Sequence, residues 1–230
     1  MLRSPPTHLS PHAHRCGPLV PDGQQIAFSG SFPGKPWQVF LVSKDGGSPQ
    51  SLTSANAQET DPSWSQDGNT LAIGHHDVVH PDETFIELVD VRTRQISQVP
   101  DSKGISAPRW SPDGRYILAI TARQRQAHAL RREEPEVART QDRLDSLGYL
   151  TWSPDSASVY FNTVLNGDAG YFRLRISDAK MEKVVDLKKI RLYRDQFGPS
   201  SWTGLRAGEI PLFPRDISTQ EIYAFDLQLP

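Results

Sequence analysis

The stretch G-H-H-D-V-V-H-P-D-E at 74–83 gathers His75, His76, His80, Asp77, Asp82 and Glu83 within ten residues. Two imidazoles and one carboxylate are enough to hold a divalent transition metal. Their order argues against it. Side chains alternate in an extended segment, so the adjacent His75 and His76 point apart, and no second group is evident to orient either ring from behind. An exposed polar loop between two strands is the expectation.

Other chemistries find less support. Hydrolysis through an activated nucleophile needs a base beside it, yet there is no G-x-S-x-G turn and no room for a catalytic α/β domain. Neither G-x-G-x-x-G nor G-x-x-x-x-G-K-[ST] occurs, so no cofactor is expected. Cys16 is the only cysteine, which leaves no internal disulfide and no paired-cysteine metal site. The 27 acidic residues are spread over the chain, and sequence alone singles out no catalytic pair. No residue is therefore assigned a catalytic, cofactor-binding or metal-binding role, and the chain is read as a non-enzyme.

The elements that would position any site come from a repeat. W-S-Q-D-G at 64–68, W-S-P-D-G at 110–114, W-S-P-D-S at 152–156 and L-V-P-D-G at 19–23 are copies of one box, with a degenerate S-W-T-G-L at 201–205. Asp22, Asp67, Asp113 and Asp155 follow one another at 45, 46 and 42 residues, the period of propeller blades. Each box precedes a short apolar or alternating run: 25–29, 70–74, 116–121, 158–162 and 209–213. Second runs follow at 37–43, 84–91, 171–177 and 221–227, and third runs at 50–53, 95–99 and 183–187. With the residues before the box, this makes four strands per unit joined by tight turns. In the box, Asp bonds nearby amides and Gly takes a positive φ, while Trp offers an apolar face to a neighbouring blade. These Asp and Trp residues are read as structural.

W-S-P-D-G-R-Y-I-L-A-I, P-S-W-S-Q-D-G-N-T-L-A-I-G and P-D-G-Q-Q-I-A-F-S-G resemble the WD40-like (PD40) repeats of TolB-type β-propellers. The ending S-W-T-G-L…I-P-L-F-P-R-D-I-S-T-Q-E-I-Y-A-F-D-L is similar to the end of propellers appended to bacterial winged-helix regulators and some serine/threonine kinases. The resemblance covers 21–230 apart from one segment. It implies an all-β propeller of about four to five four-stranded blades, incomplete, with one blade disrupted. It also implies a partner protein or small ligand at the propeller face, and an effector domain on related longer chains. It assigns Arg215, Asp216 and Glu221 no catalytic role. The rival class is a lyase or hydrolase acting in the central channel.

Two segments break the pattern. Residues 122–143 carry six arginines and almost no strand formers, where a blade needs its outer strands. An Arg-rich surface for an anionic partner, a solvated insertion, and an out-of-frame stretch between two compensating indels all remain open. The third reading rests on a one-base shift of permissible codons for 122–141, which gives P-D-S-A-K-L-M-L-F-D-V-K-S-Q-K-W-H-E-L, a strand-like peptide. Residues 1–20 are read as an irregular N-terminal segment, open to the same frame argument.

Composition sets outer limits. With 25 Lys and Arg against 27 Asp and Glu, the net charge of −2 argues against a general polyanion binder. Without residues 122–141 the balance is 20 basic against 24 acidic, or −4. No apolar run is long enough to span a bilayer and no secretory signal is evident, so a cytoplasmic location is the default, although related propellers can be periplasmic.

Overall fold

In the computed structural model, the described residues are 15–32, 34–53, 58–76, 80, 83–121, 126–131, 138–139, 144, 147–148, 150–191, 204–212 and 215–217. The strands are β1 (Arg15–Leu19), β2 (Gln25–Gly30), β3 (Gln38–Ser43), β4 (Gly46–Ser51), β5 (Gln58–Trp64), β6 (Thr70–His76), β7 (Phe85–Asp90), β8 (Ile96–Gln98) and β9 (Ile105–Trp110). They continue as β10 (Tyr116–Thr121), β11 (Ala127–Arg131), β12 (Ala138–Arg139), β13 (Thr151–Trp152), β14 (Ser158–Leu165), β15 (Asp168–Arg175), β16 (Met181–Asp186), β17 (Gly204–Arg206) and β18 (Ile210–Leu212). Among the described residues these pair as four four-stranded antiparallel meanders in sequence order, plus the β17–β18 hairpin. Among the described residues the architecture is that of a β-propeller, with four blades and two strands of a fifth.

Each blade makes its first turn at the box, between its first and second strands, and in three blades the box works by a repeated set of hydrogen bonds. In blade 2 the Ser65 hydroxyl donates to Asp67 Oδ1 at 2.6 Å and accepts the Thr70 amide at 3.0 Å. Ser111 does the same with Asp113 (2.7 Å) and the Tyr116 amide (2.9 Å), and Ser153 with Asp155 (2.6 Å) and the Ser158 amide (2.9 Å). The aspartates also accept the amides of Asn69, Arg115 and Ala157. A buried hydroxyl and an exposed carboxylate thus satisfy the amides between the first and second strands, which would otherwise lie unpaired in the turn. In blade 1, Val20 replaces the serine and only the Asp22 bond to the Gln24 amide remains.

The fourth residue of the turn must adopt a left-handed φ. Gly23, Gly68 and Gly114 do so at 70°, 70° and 71°, and Ser156 does so at 62° without being glycine. Ser156 is held there because its Oγ accepts the Asp113 amide at 3.0 Å, tying the turn of blade 4 to that of blade 3. Gly68 abuts blade 1 in the same way, since a Cβ there would lie 2.9 Å from Val20 Cγ2.

Strand alternation gives every blade two apolar faces, each claimed by a different neighbour. Leu71, Ile73 and Val89 of blade 2 pack on Ala27, Val39 and Leu41 of blade 1. Ala72, Ile86 and Leu88, on the opposite face, pack on Ile117, Ala119 and Leu130 of blade 3. Leu118 and Ile120 then meet Val159, Phe161 and Phe172 of blade 4, with Leu144, Leu147 and Leu150 filling the space between. Tyr160, Tyr171 and Leu187 continue the stack onto Leu205 of β17. The first strands of blades 2 and 3 each carry a bulge, with Asp61 (φ 56°) and Ala107 (φ 54°) in the left-handed region. The bulge in β5 carries a nearly buried Asp61, whose Oδ1 lies 3.4 Å from the Arg109 guanidinium. Outer strands are exposed along their length in β4 and β8.

Four expectations need correcting. Segment 122–143 is not devoid of strands. A-H-A-L-R at 127–131 pairs residue for residue with Tyr116–Ile120, burying Ala127, Ala129 and Leu130, and residues 138–139 add a short outer strand. Burial against Tyr116–Ile120 overrides the weak strand preference of alanine. The first blade begins at Arg15, inside the segment read as irregular, because Arg15 and Cys16 pair with Ser29 and Phe28. The third run of blade 1, expected at 50–53, begins earlier: Gly46 and Gly47, at φ 90° and 111°, already belong to β4. In the degenerate fifth box, Gly204–Arg206 is a strand and the turn falls at Ala207–Glu209. The runs at 221–227 and the greater part of 122–143 lie outside the described residues.

Two outcomes follow. Gly68→Ala should lower stability by about 2 kcal/mol, combining left-handed strain with the Val20 clash. Gly23→Ala, which meets nothing within 4 Å, should lose only the conformational part, about 1 kcal/mol; urea unfolding of both variants checks the ordering. The box aspartates also set an acid limit. The serine hydroxyl, chiefly, and the turn amides hold the Asp67 and Asp155 carboxyls below the ordinary 3.8. At Asp113 partial burial pulls upward but is outweighed by the Ser111 hydroxyl and Arg115. Because these folded-state pKa values are depressed, their contribution is complete above the ordinary value and is lost as pH falls through the depressed ones. Urea midpoints measured from pH 5 downward should drop below about pH 4, and less steeply in Asp67→Asn, which carries no titrating group there.

Candidate functional site

Among the described residues, two places bring polar groups together at the margins of the packing clusters. The first is a shallow hollow of about 390 Å³ where three successive boxes meet, walled by Trp64, Trp110 and Trp152 with Arg109 and Gln66 at its margin. The Trp152 indole donates to the Arg109 carbonyl at 3.0 Å, locking blade 4 to blade 3. Its serines are already engaged. Ser65 and Ser111 donate to the box aspartates, and Ser63 Oγ accepts the Trp110 amide at 2.9 Å. Among the described residues, no histidine lines the hollow. An apolar wall with a cationic margin suits binding rather than bond cleavage.

The second place is on the face of blade 2 that meets blade 1. Glu59 on β5 and His75 on β6 are direct cross-strand partners, and His75 in turn opposes Phe85 on β7. Glu87, two residues further along β7, returns to the same face by strand alternation. One ligand atom from each of Glu59, His75 and Glu87 lies within 4.8 Å of the others. His75 Nδ1 stands 3.6 Å from Glu87 Oε1, and the imidazole stacks on Phe85 with ring centroids 4.3 Å apart. Glu59 is only 4% exposed. Burial, eased by the Thr53 hydroxyl and reinforced by the negative charge of Glu87, pushes its carboxyl up to about 7. Burial also raises Glu87, with the adjacent His75 acting in the opposite sense. Glu59 Oε2, Glu87 Oε2 and His75 Nδ1 have no hydrogen-bond partner among the described residues.

The loop residues weighed from sequence do not assemble. His76 lies on the opposite face of β6, near Gly74 and the Ala107 amide. His80 is exposed, and Glu83 forms an exposed ion pair with Lys103 at 2.8 Å. Asp77 and Asp82 lie outside the described residues. Of the described loop residues only His75 joins the cluster, and its companions Glu59 and Glu87 come from strands before and after the loop. The one sequence signal for them is an acidic residue inside a strand that must be buried. Asp216, near the end, pairs with Arg191 at 2.9 Å.

No protein-family profile matches the chain, and no curated protein sequence gives a significant match. Solved structures do. A TolB from Agrobacterium tumefaciens aligns at 22% identity with a TM-score of 0.62, over 73% of this chain and 63% of that one. TolB from Acinetobacter baumannii aligns at 19% and 0.61, over 79% and 48%. The Cps50 (Swd1) β-propeller domain from Myceliophteria thermophila aligns at 17% and 0.54, over 79% and 58%. A prolyl endopeptidase aligns at 13% and 0.55, over 84% of this chain but 31% of its own. The chain therefore spans less than two thirds of the length of each of these structures. No helix among the described residues is long and apolar enough to cross a membrane. Four meander blades stacked face to face, three of them with a Ser–Asp turn between their first and second strands, agree with the comparisons: by its fold, the chain is a TolB-like, WD40-type β-propeller.

Proposed function

We propose that the chain is a non-catalytic propeller module for protein interaction or ligand sensing, and part of a larger regulatory protein. The observation that carries this reading is the tryptophan-walled hollow at the meeting of three boxes. It presents the edges of three largely buried tryptophans beside the Arg109 guanidinium, which is held by Asp61, and its serines are committed to the turns. Aromatic walls and arginine are the groups most often found where partners anchor. The resemblance of the chain's ending to regulator- and kinase-linked propellers supports an effector domain on related longer chains. DNA binding or phosphoryl transfer would belong to such a domain and not to these blades. The competing reading, a lyase or hydrolase with a site in the channel, has the prolyl endopeptidase likeness behind it, and at 13% identity that likeness is one of fold.

Peptides selected by display against the full chain test the proposal. The expected outcome is a selected set that binds the wild-type protein and loses at least tenfold in affinity when Gln66→Trp fills the mouth of the hollow, with the far-ultraviolet circular dichroism unchanged. Peptides indifferent to that substitution would overturn the location. Turnover of ester or peptide substrates by the purified chain, abolished by a single substitution, would overturn the non-catalytic reading.

A further inference from the structure

We propose that Glu59, His75 and Glu87 form a site for one divalent transition-metal ion of the zinc class, set in the face of blade 2 that packs against blade 1. The donor set is one imidazole and two carboxylates, a combination that suits zinc and its neighbours better than calcium or magnesium, which favour oxygen alone. The spacing is close to what an ion needs. Ligand atoms about 2.1 Å from a tetrahedral ion stand about 3.4 Å apart; His75 Nδ1 and Glu87 Oε1 are at 3.6 Å, and all three groups lie within 4.8 Å. Small side-chain rotations, without backbone movement, bring them to an ion.

Burial supplies the second, independent reason. Two carboxylates close together and largely removed from water repel each other and need a compensating charge or hydrogen bonds. Glu59 is more than nine-tenths buried, and its Oε2 has no hydrogen-bond partner among the described residues; neither has Glu87 Oε2, and His75 Nδ1 meets only Glu87 Oε1, at 3.6 Å. The ion pairs of the cluster are confined, among the described residues, to His75 with Glu87. A divalent cation would balance both carboxylates and accept the lone pair of the imidazole in one step. The frame is also rigid. The three ligands stand on three adjacent strands of one sheet, the imidazole plane is fixed by stacking on Phe85, and the Glu59 amide donates to the Trp37 carbonyl of blade 1 at 2.9 Å. Three protein ligands leave a fourth position for water or a ligand atom.

The test uses the full chain, stripped with EDTA and dialysed, and titrated with Zn²⁺ by calorimetry and with Co²⁺ by visible absorption. One equivalent of Zn²⁺ should bind and raise the thermal midpoint, and bound Co²⁺ should give the intense bands of a four- or five-coordinate ion. His75→Ala and Glu87→Gln should each weaken Zn²⁺ binding by more than the roughly 10- to 100-fold that loss of an outer-shell partner produces. His80→Ala should leave it intact, as should a triple variant replacing His8, His12 and His14 with Ala. Because Glu59 is the most buried ligand, Glu59→Gln is read alongside circular dichroism, and Glu87→Gln, at a more exposed position, carries the decision if that variant does not fold. Folded wild-type protein that fails to bind Zn²⁺ would overturn the proposal. So would binding that survives both His75→Ala and Glu87→Gln.

Discussion

A serine hydroxyl that donates to an aspartate two residues later, and accepts the amide opening the next strand, fixes the first turn of three of the four blades. The interaction is short-range, but it sets long-range geometry. By satisfying the amides of a tight reversal, it lets the first strand end and the second begin in a defined register, and register decides which apolar residues face which neighbour. A one-residue slip in β6 would turn Leu71 and Ile73 away from blade 1 and present Ala72 in their place. The turns also touch one another. Gly68 lies against Val20, and Ser156 accepts the Asp113 amide, so the reversals form a ladder across the blades.

Local chemistry of this kind is legible in sequence, and the boxes of the four blades, with the described runs behind them, fall where the structure has turns and strands. What was hidden depended on partners distant in the chain. A-H-A-L-R at 127–131 reads poorly as a strand because alanine has little preference for one; pairing with Y-I-L-A-I and burial of Leu130 against Ile117 and Ala119 supply the reason. Arg15–Leu19 was obscured because the first box lacks both the tryptophan and the serine. The Glu59–His75–Glu87 cluster was hidden for a different reason. The sequence marks a histidine-rich loop, and spacing suggests that its members act together; cross-strand register instead takes one histidine inward to two acids 16 residues before and 12 after it.

The two polar places on the blades differ in what surrounds them. Around the tryptophans, charged and hydroxyl groups are matched: Arg109 with Asp61, Ser65 with Asp67, Ser111 with Asp113. That leaves apolar area as the feature presented to a ligand. Between blades 1 and 2 the matching is incomplete, with two carboxylates and one imidazole sharing a small volume. Buried polar groups in folded proteins are nearly always satisfied, so the two places invite different ligands: a surface with apolar side chains in the first, a compact cation in the second.

The exposed outer strands bear on how such molecules coexist at high concentration. A free strand edge is a template for another chain, and each rim strand here blunts it by a different means. β4 carries two glycines and Pro49, β8 is three residues long, β12 is two, and β16 sets Glu182, Lys183 and Asp186 along its length. Sheet-to-sheet joining between copies is thereby discouraged at the rim, and the surfaces left for specific association are the turn-bearing faces of the disc.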